Sequence, residues 1–277
     1  MNILESLVYG VRNINRCEVL EKDLPKAIDR NELLLHFQPK VNLGTGKVVG
    51  VEALIRWEHP HLGRIAPSEF IPLAEKTGEI IRIGKWVLFN ACKQNKKWQD
   101  DGFTPVIMSV NLSPCQFEGP SLFETVSEVL KESGLSPHYL ELEITEGISV
   151  NITNAASTLL SLKNLGILIS LDDFGTGYST LNYLRELPID IIKIDQSFVM
   201  NLSHRSKDQE IVKSIISLAH RLKMRVIAEG IETKDHLHFL KQYGCNEGQG
   251  YFFSRPLPEN ELIATCRQVE QMVATLA

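Results

Sequence analysis

Short apolar, often β-branched runs recur along the chain, and each ends at a carboxylate, an amide or a lysine. Val48–Val51 leads into Glu52, Val106–Val110 into Asn111, and Leu140–Leu142 into Glu143. Leu168–Leu171 leads into Asp172 and Asp173, Ile191-Ile192 into Lys193, Val226–Ala228 into Glu229, and a weaker Cys245–Gly248 run into Gln249. Runs of this length, alternating or continuously apolar, read as buried strands. An earlier alternating stretch, Leu33–Leu43, meets Gly44-Thr45-Gly46 before Lys47–Val51 resumes. A connection that short closes only an antiparallel hairpin, because a parallel pair needs a crossover of about a dozen residues.

Helical patterns separate the later runs. Pro67–Thr77 and Ile80–Asp100 follow the hairpin, with Pro67 placed at a helix start. Ser121–Ser133 and Ile152–Leu165 each stop at a glycine, Gly134 and Gly166. Asp208–Lys223 carries Ile211, Ile215, Leu218 and Leu222 as a one-sided stripe. Strand–helix alternation of this kind predicts an α/β fold, a TIM-like (β/α)8 barrel whose first strand runs antiparallel to the rest. In such barrels the chemistry sits at the C-terminal ends of the strands, where these polar residues fall.

Composition narrows the class without changing the picture. The 277 residues suit one barrel, and the hydrophobic fraction of 43% suffices for its core. No apolar run approaches the roughly 20 residues of a membrane span, and no signal peptide opens the chain. Five cysteines without a Cys-x-x-Cys pair point to a reducing cytoplasm. A net charge of −5 argues against a DNA or RNA duplex as partner. An anionic ligand must then be met by local positive charge or by metal.

The strand-end residues offer that. Glu52, Asn111, Glu143, Asp172, Asp173 and Glu229 present only oxygen donors, which suits Mg²⁺ or Mn²⁺ rather than zinc. Asp172 and Asp173 are adjacent and expected past their strand end, so both can face the mouth and one can bridge two ions. Arg56 carries the planar fork that matches a phosphate. Each residue also has a plain structural reading. An acidic pair before Phe174-Gly175 often makes a turn with a helix cap at Ser179 or Thr180, and Asn111-Leu112-Ser113-Pro114 is a turn sequence. Glu143 and Glu146 could face a helix dipole, Lys193 could be a paired core lysine, and Arg56 could stack on Trp57. Unrelated turns and caps have no reason to gather at one end of eight strands. His59-Pro60-His61 has the wrong spacing for a helical metal pair and is expected in a loop.

In order, the motifs are Glu52-Ala53-Leu54-Ile55-Arg56-Trp57, Asn111-Leu112-Ser113, Glu143-Ile144-Thr145-Glu146 and Asp172-Asp173-Phe174-Gly175-Thr176-Gly177. Lys193-Ile194-Asp195, Glu229-Gly230-Ile231-Glu232 and Gln249-Gly250-Tyr251 complete the series. It closely resembles the EAL-domain family of cyclic di-GMP phosphodiesterases, from about Leu20 to about Leu262. One departure is a tract about one residue short between Thr145 and Asn154, away from the ligands. The resemblance implies hydrolysis of cyclic di-GMP to linear pGpG with two divalent ions, Mg²⁺ or Mn²⁺, and inhibition by Ca²⁺. It assigns one ion to Glu52, Asn111, Glu143 and Asp172, and the second to Asp172, Asp173 and Glu229. It makes Lys193, Glu229 and Glu52 the catalytic group, and Arg56, Glu232 and Gln249 substrate-binding, with Gln38 and Asp195 as further substrate or supporting candidates. It also implies a homodimer, coupled to the site through the loop that carries Asp173, Gly175 and Gly177.

Two other readings remain open at this point. A non-hydrolysing cyclic di-GMP receptor usually lacks one or more ligands, whereas this chain lacks none. An enolase-type barrel would use Mg²⁺ and a base lysine but leaves Asn111, Asp173 and Arg56 unexplained. Residues 1–20 fall outside the signature and 21–277 form the expected domain. Leu4, Leu7, Val8 and Val11 suggest an amphipathic lead-in helix, consistent with an upstream sensor domain in a longer parent protein.

Overall fold

The computed structural model describes residues 16–117, 122–145, 152–176, 180–202 and 206–275. Strands β1 (Leu33–Asn42) and β2 (Val48–His59) form the expected antiparallel hairpin. Its turn is closed by the Asn42 side chain, whose Oδ1 accepts from the backbone N–H groups of Gly44 and Thr45. Among the described residues, six further strands complete the barrel: β4 (Ile107–Leu112), β5 (Leu140–Thr145), β6 (Leu168–Phe174), β7 (Ile191–Ile194), β8 (Arg225–Ala228) and β9 (Glu247–Gly248). Each pairs in parallel with its predecessor, β4 pairing with β2. Strand β9 then pairs antiparallel with β1, which closes an eight-stranded barrel with β1 reversed, as expected.

Several details differ from the sequence reading. A short strand β3 (Gly63–Ile65) pairs with the far end of β2 and stays outside the barrel. That pairing and the long β1 register carry β2 on to His59, so Glu52 lies inside its strand rather than at the end. His59 is therefore not in a loop. It closes β2, is 3% exposed and faces Asp23 at 3.4 Å. Trp57 is also buried and donates from Nε1 to Glu32, which removes the Arg56–Trp57 surface stack.

The helices pack outside the strands. They are α1 (Pro67–Thr77), α2 (Ile80–Asp100), α3 (Leu122–Ser133), α4 (Ile152–Asn164), α5 (Thr180–Glu186), α6 (Gln196–Met200), α7 (Ser206–Arg221), α8 (Lys234–Gln242) and α9 (Glu259–Ala274). Helix α1 begins at Pro67 as expected and stops where Gly78 takes a left-handed φ of 79°. On α7 the expected stripe is rotated by one residue. Val212, Ile215, Ile216 and Ala219 are buried against the barrel, while Ile211 and Leu222 are exposed. Two apolar stripes share this helix, and only packing on β7 and β8 selects the inner one. Residues 16–23 are helical and bury Leu20, whereas Leu4, Leu7, Val8 and Val11 lie outside the described residues. Among the described residues no helix is long and apolar enough to cross a membrane.

The rotated stripe sets a stability test. Ile216 is 2% exposed and Ile211 40%. Ile216→Ala should lower the unfolding free energy by about 2–4 kcal/mol through the cavity it leaves. Ile211→Ala should change it by less than about 0.5 kcal/mol. Urea denaturation of both variants measures the difference.

Candidate active site at the barrel mouth

The acidic pair is placed by a defect in the sheet. Between β6 and β7, Leu171 pairs with Ile192 and Phe174 with Ile194, so Asp172 and Asp173 on β6 oppose Lys193 alone. Two residues against one is a β-bulge, and it cancels the alternation that would send neighbouring side chains to opposite faces. Asp173 takes a left-handed φ of 54° to make it, which Asp tolerates better than most residues. The pair thus lies within β6, not past its end. The Asp173 backbone N–H donates to the Asp172 carboxylate at 2.9 Å.

Lys193 is the centre. Its side chain is fully buried, and Nζ lies 2.6 Å from Glu143, 2.8 Å from Glu229 and 3.2 Å from Asp172. These partners come from β5, the end of β8 and β6, so one ammonium ties three parts of the barrel together. Glu52 is held from the other side. Asn111 Nδ2 donates to its Oε1 at 2.8 Å and Gln249 Nε2 to its Oε2 at 2.6 Å. Gln249 also donates to Gln38 Oε1, and Gln38 donates to the Ser254 carbonyl.

The charges are unevenly satisfied. Burial raises the Glu52 pKa, but Lys193 and the amides of Gln249 and Asn111 outweigh it and hold the group below the usual range. Burial lifts Glu143 well above that range, Glu52 and Asp172 add to the lift, and Lys193 and Lys40 only partly oppose it. Burial pushes Glu229 up to about 8, with Asp172 and Glu52 adding to the effect against Lys193. Asp173 is pushed up to about 6 by desolvation, then by Asp172 and Asp195. Burial disfavours the Lys193 charge, yet Asp172, Glu143, Glu229 and Glu52 hold its pKa well above the ordinary value. The cluster therefore carries more negative charge than its lysine neutralises.

That donor set fits hard divalent cations. Asp172, Asp173 and Glu229 each bring a carboxylate oxygen within 4.8 Å of the others. Glu143 keeps a buried Oε1 without a hydrogen-bond donor. All these donors are oxygens, in a number and sign that Mg²⁺ or Mn²⁺ accepts.

A cleft of about 310 Å³ opens over the cluster. Gln38, Glu52, Arg56, Asp172, Glu229, Glu232 and Gln249 line it, all of them expected from the sequence. Arg56 sits at its wall and donates one N–H to the Ile55 carbonyl. Asp195 is not on the wall; it caps α6 by accepting from Ser197 N–H and flanks Asp173. Gly230 brings α6 close, for it has φ of 69° and a Cβ there would lie 2.6 Å from Gln196 Cβ. Glu146, Gly177 and Ser179 lie outside the described residues. The sequence reading missed Gln196 and Tyr251 on the wall, and Lys40 and Glu141 beneath the cluster. Strand alternation could have found the last two, since they stand two residues from Gln38 and Glu143 on the same faces.

A closed barrel with an acidic, lysine-centred mouth under a polar cleft defines the class of architecture. The chain matches the EAL domain over residues 21–256 and belongs to that family. It is 44% identical over 256 residues to the bifunctional diguanylate cyclase/cyclic di-GMP phosphodiesterase MucR of Pseudomonas aeruginosa, covering 91% of this chain and 37% of that protein. It is 42% identical over 240 residues to the cyclic di-GMP phosphodiesterase NbdA of the same organism, covering 86% and 31%. The chain thus spans about a third of the length of these relatives. Among solved structures, the PaMucR phosphodiesterase in complex with c-di-GMP superposes with a TM-score of 0.83 at 45% identity, over 88% of this chain and 99% of that one. The FimX EAL domain from Pseudomonas aeruginosa bound to c-di-GMP gives 0.78 at 28% identity, over 86% and 96%.

The bulge makes its own prediction about Asp173. Asp173→Asn should fold with stability within about 0.5 kcal/mol of the parent, because Asn also accepts a positive φ. Asp173→Val should cost about 1–2 kcal/mol more, since a β-branched residue is strained there. Thermal or urea unfolding of the two variants reads the difference.

Proposed function

We propose that this chain is a metal-dependent phosphodiesterase that opens cyclic di-GMP to linear pGpG by water attack on one phosphodiester. The observation that carries the reading is Lys193, buried among Glu143, Asp172 and Glu229 beside an amide-held Glu52. The names of the relatives MucR and NbdA support the substrate and the reaction. Glu52, Asn111, Glu143 and Asp172 would hold one divalent ion, and Asp172, Asp173 and Glu229 the second. Such ions, when bound, supply an activated water and neutralise charge on the phosphate.

The protein's own groups do the rest. Asn111 and Gln249 fix the Glu52 carboxylate, so it needs no reorganisation during the reaction. The Lys193 ammonium is preoriented by its carboxylates and stabilises negative charge that develops on the attacked phosphate. Arg56 on the cleft wall clamps the substrate phosphate, and Glu232 and Gln249 flank it. Gln38 acts through Gln249, and Asp195 steadies Asp173. Five free cysteines support a cytoplasmic site of action. A homodimer belongs to this reading too, supported by exposed Leu160, Leu181 and Met200 on α4, α5 and α6. So does a sensor domain elsewhere in the parent protein, supported by the greater length of the relatives.

Chromatography of cyclic di-GMP incubated with the protein tests the reaction. Mn²⁺ or Mg²⁺ should yield pGpG, excess chelator should abolish it, and Ca²⁺ should allow binding with little turnover. Binding without pGpG in Mn²⁺ would leave a receptor, and full activity in chelator would remove the metals from the reading.

Lys193→Ala should cut kcat by about a hundredfold or more, on the scale of a lost oxyanion donor. Affinity for cyclic di-GMP should change far less, because Arg56 and the cleft wall remain. Equal losses in both, measured by steady-state kinetics and calorimetric titration, would make Lys193 a binding residue instead.

A further inference from the structure

A second charged layer lies beneath the cluster, and nothing in the proposed chemistry uses it. Lys40 on β1 and Glu141 on β5 are each 1% exposed and form an ion pair of 2.9 Å inside the barrel. Lys40 Nζ also donates to Ser109 Oγ on β4. The same ammonium lies 3.5 Å from Glu143 Oε1, while Lys193 holds Glu143 Oε2 at 2.6 Å. Glu143 therefore has one lysine hydrogen-bonded at Oε2 and a second, from the layer below, at ion-pair distance from an Oε1 that no donor satisfies.

The barrel is shaped to admit Lys40. Its register partner on β2 is Gly50, where a Cβ would lie 3.0 Å from Lys40 Cε and 3.2 Å from the Ile107 carbonyl oxygen. Any other residue at position 50 would push the lysine stem or the backbone of β4. Burying an ion pair costs desolvation that its Coulomb attraction often fails to repay, so such a pair is poor evidence of a stability device. Aliphatic side chains would fill this layer more simply.

We propose that Lys40, anchored by Glu141 and Ser109, is a positioning residue that sets the plane of the Glu143 carboxylate and through it the place of the Lys193 ammonium. Its effect on turnover rests on the phosphodiesterase reading, whereas its effect on Lys193 does not. Glu143 has a single torsion that rotates its carboxylate about Cγ–Cδ, and the Lys40 ammonium 3.5 Å from Oε1 attracts that oxygen without hydrogen-bonding it. That attraction favours one rotation of the carboxylate, and Lys193 then meets Oε2 in one geometry. Partners that orient a working group in this way typically matter by about 10- to 100-fold in activity.

The test compares the parent protein with Lys40→Met/Glu141→Gln, which removes both charges at nearly constant volume and leaves no unpaired buried ion. In metal-free protein with ¹⁵N-labelled lysine, the Lys193 ammonium signal is assigned by its loss in Lys193→Arg. The double variant should move or broaden that signal while the thermal midpoint stays close to the parent's. In the loaded enzyme kcat should fall by about 10- to 100-fold with KM little changed. A folded double variant with an unmoved Lys193 signal and parental kcat would overturn the proposal. Gly50→Ala supplies the second arm, since it keeps every charge and crowds the Lys40 stem most closely, with the Ile107 carbonyl next. It should shift the same signal in the same sense, and an unmoved signal there would overturn the proposal even if the double variant fails to fold. A parent protein that yields no pGpG would defeat the phosphodiesterase reading alone and leave the ammonium measurement decisive.

Discussion

The site depends on one buried ammonium. Lys193 has no exposure, and its charge is stable there only because carboxylates from β5, β6 and the end of β8 converge on it. Removing either side of such an arrangement leaves an uncompensated charge in a low-dielectric interior, which is more costly than never having placed one there. The barrel must therefore close with its strands in one stagger for the ammonium to be tolerated. Conversely, the acidic ring could not be packed so tightly without it, since Glu143 and Glu229 already sit far above the ordinary carboxylate range.

Closure itself is a matter of strand direction. The β1–β2 hairpin reverses β1, which then pairs antiparallel on both sides, with β2 and with β9. That brings Gln38 on β1 beside Gln249 past β9 and links the last turn of the barrel to Glu52 on β2. A chain of amides thus joins residues 211 positions apart, between Gln38 and Gln249. The bulge in β6 performs the complementary task on the opposite wall. It gives up one ladder position so that two adjacent aspartates face the mouth together.

The interior of this barrel is consequently polar over two layers. Lys40, Ser109, Glu141 and Ser170 are all buried below the cluster. Buried polar networks of this kind are rigid when satisfied and expensive when not. The hydrophobic core lies instead between the strands and the outer helices, where Ile216, Leu88, Phe70 and Leu262 pack. The mouth can carry unbalanced charge because that outer layer supplies the stability.

Much of this was legible in the chain alone. Apolar runs with polar ends reflect a local rule, the alternation of strand side chains, so the eight barrel strands, the reversed first strand and the polar residues at the mouth follow from spacing. The start of α1 follows from Pro67 for an equally local reason. What local rules could not decide is which of two permitted faces packs inward, or which charges meet. The choice of Val212, Ile216 and Ala219 over Ile211 and Leu222 on α7 came from its contact with β7 and β8. The placement of Asp172 and Asp173 within a bulge, the burial of His59, and the Lys40–Glu141 pair likewise rest on partners far along the chain. Register and desolvation are properties of the closed barrel, and only tertiary structure sets them.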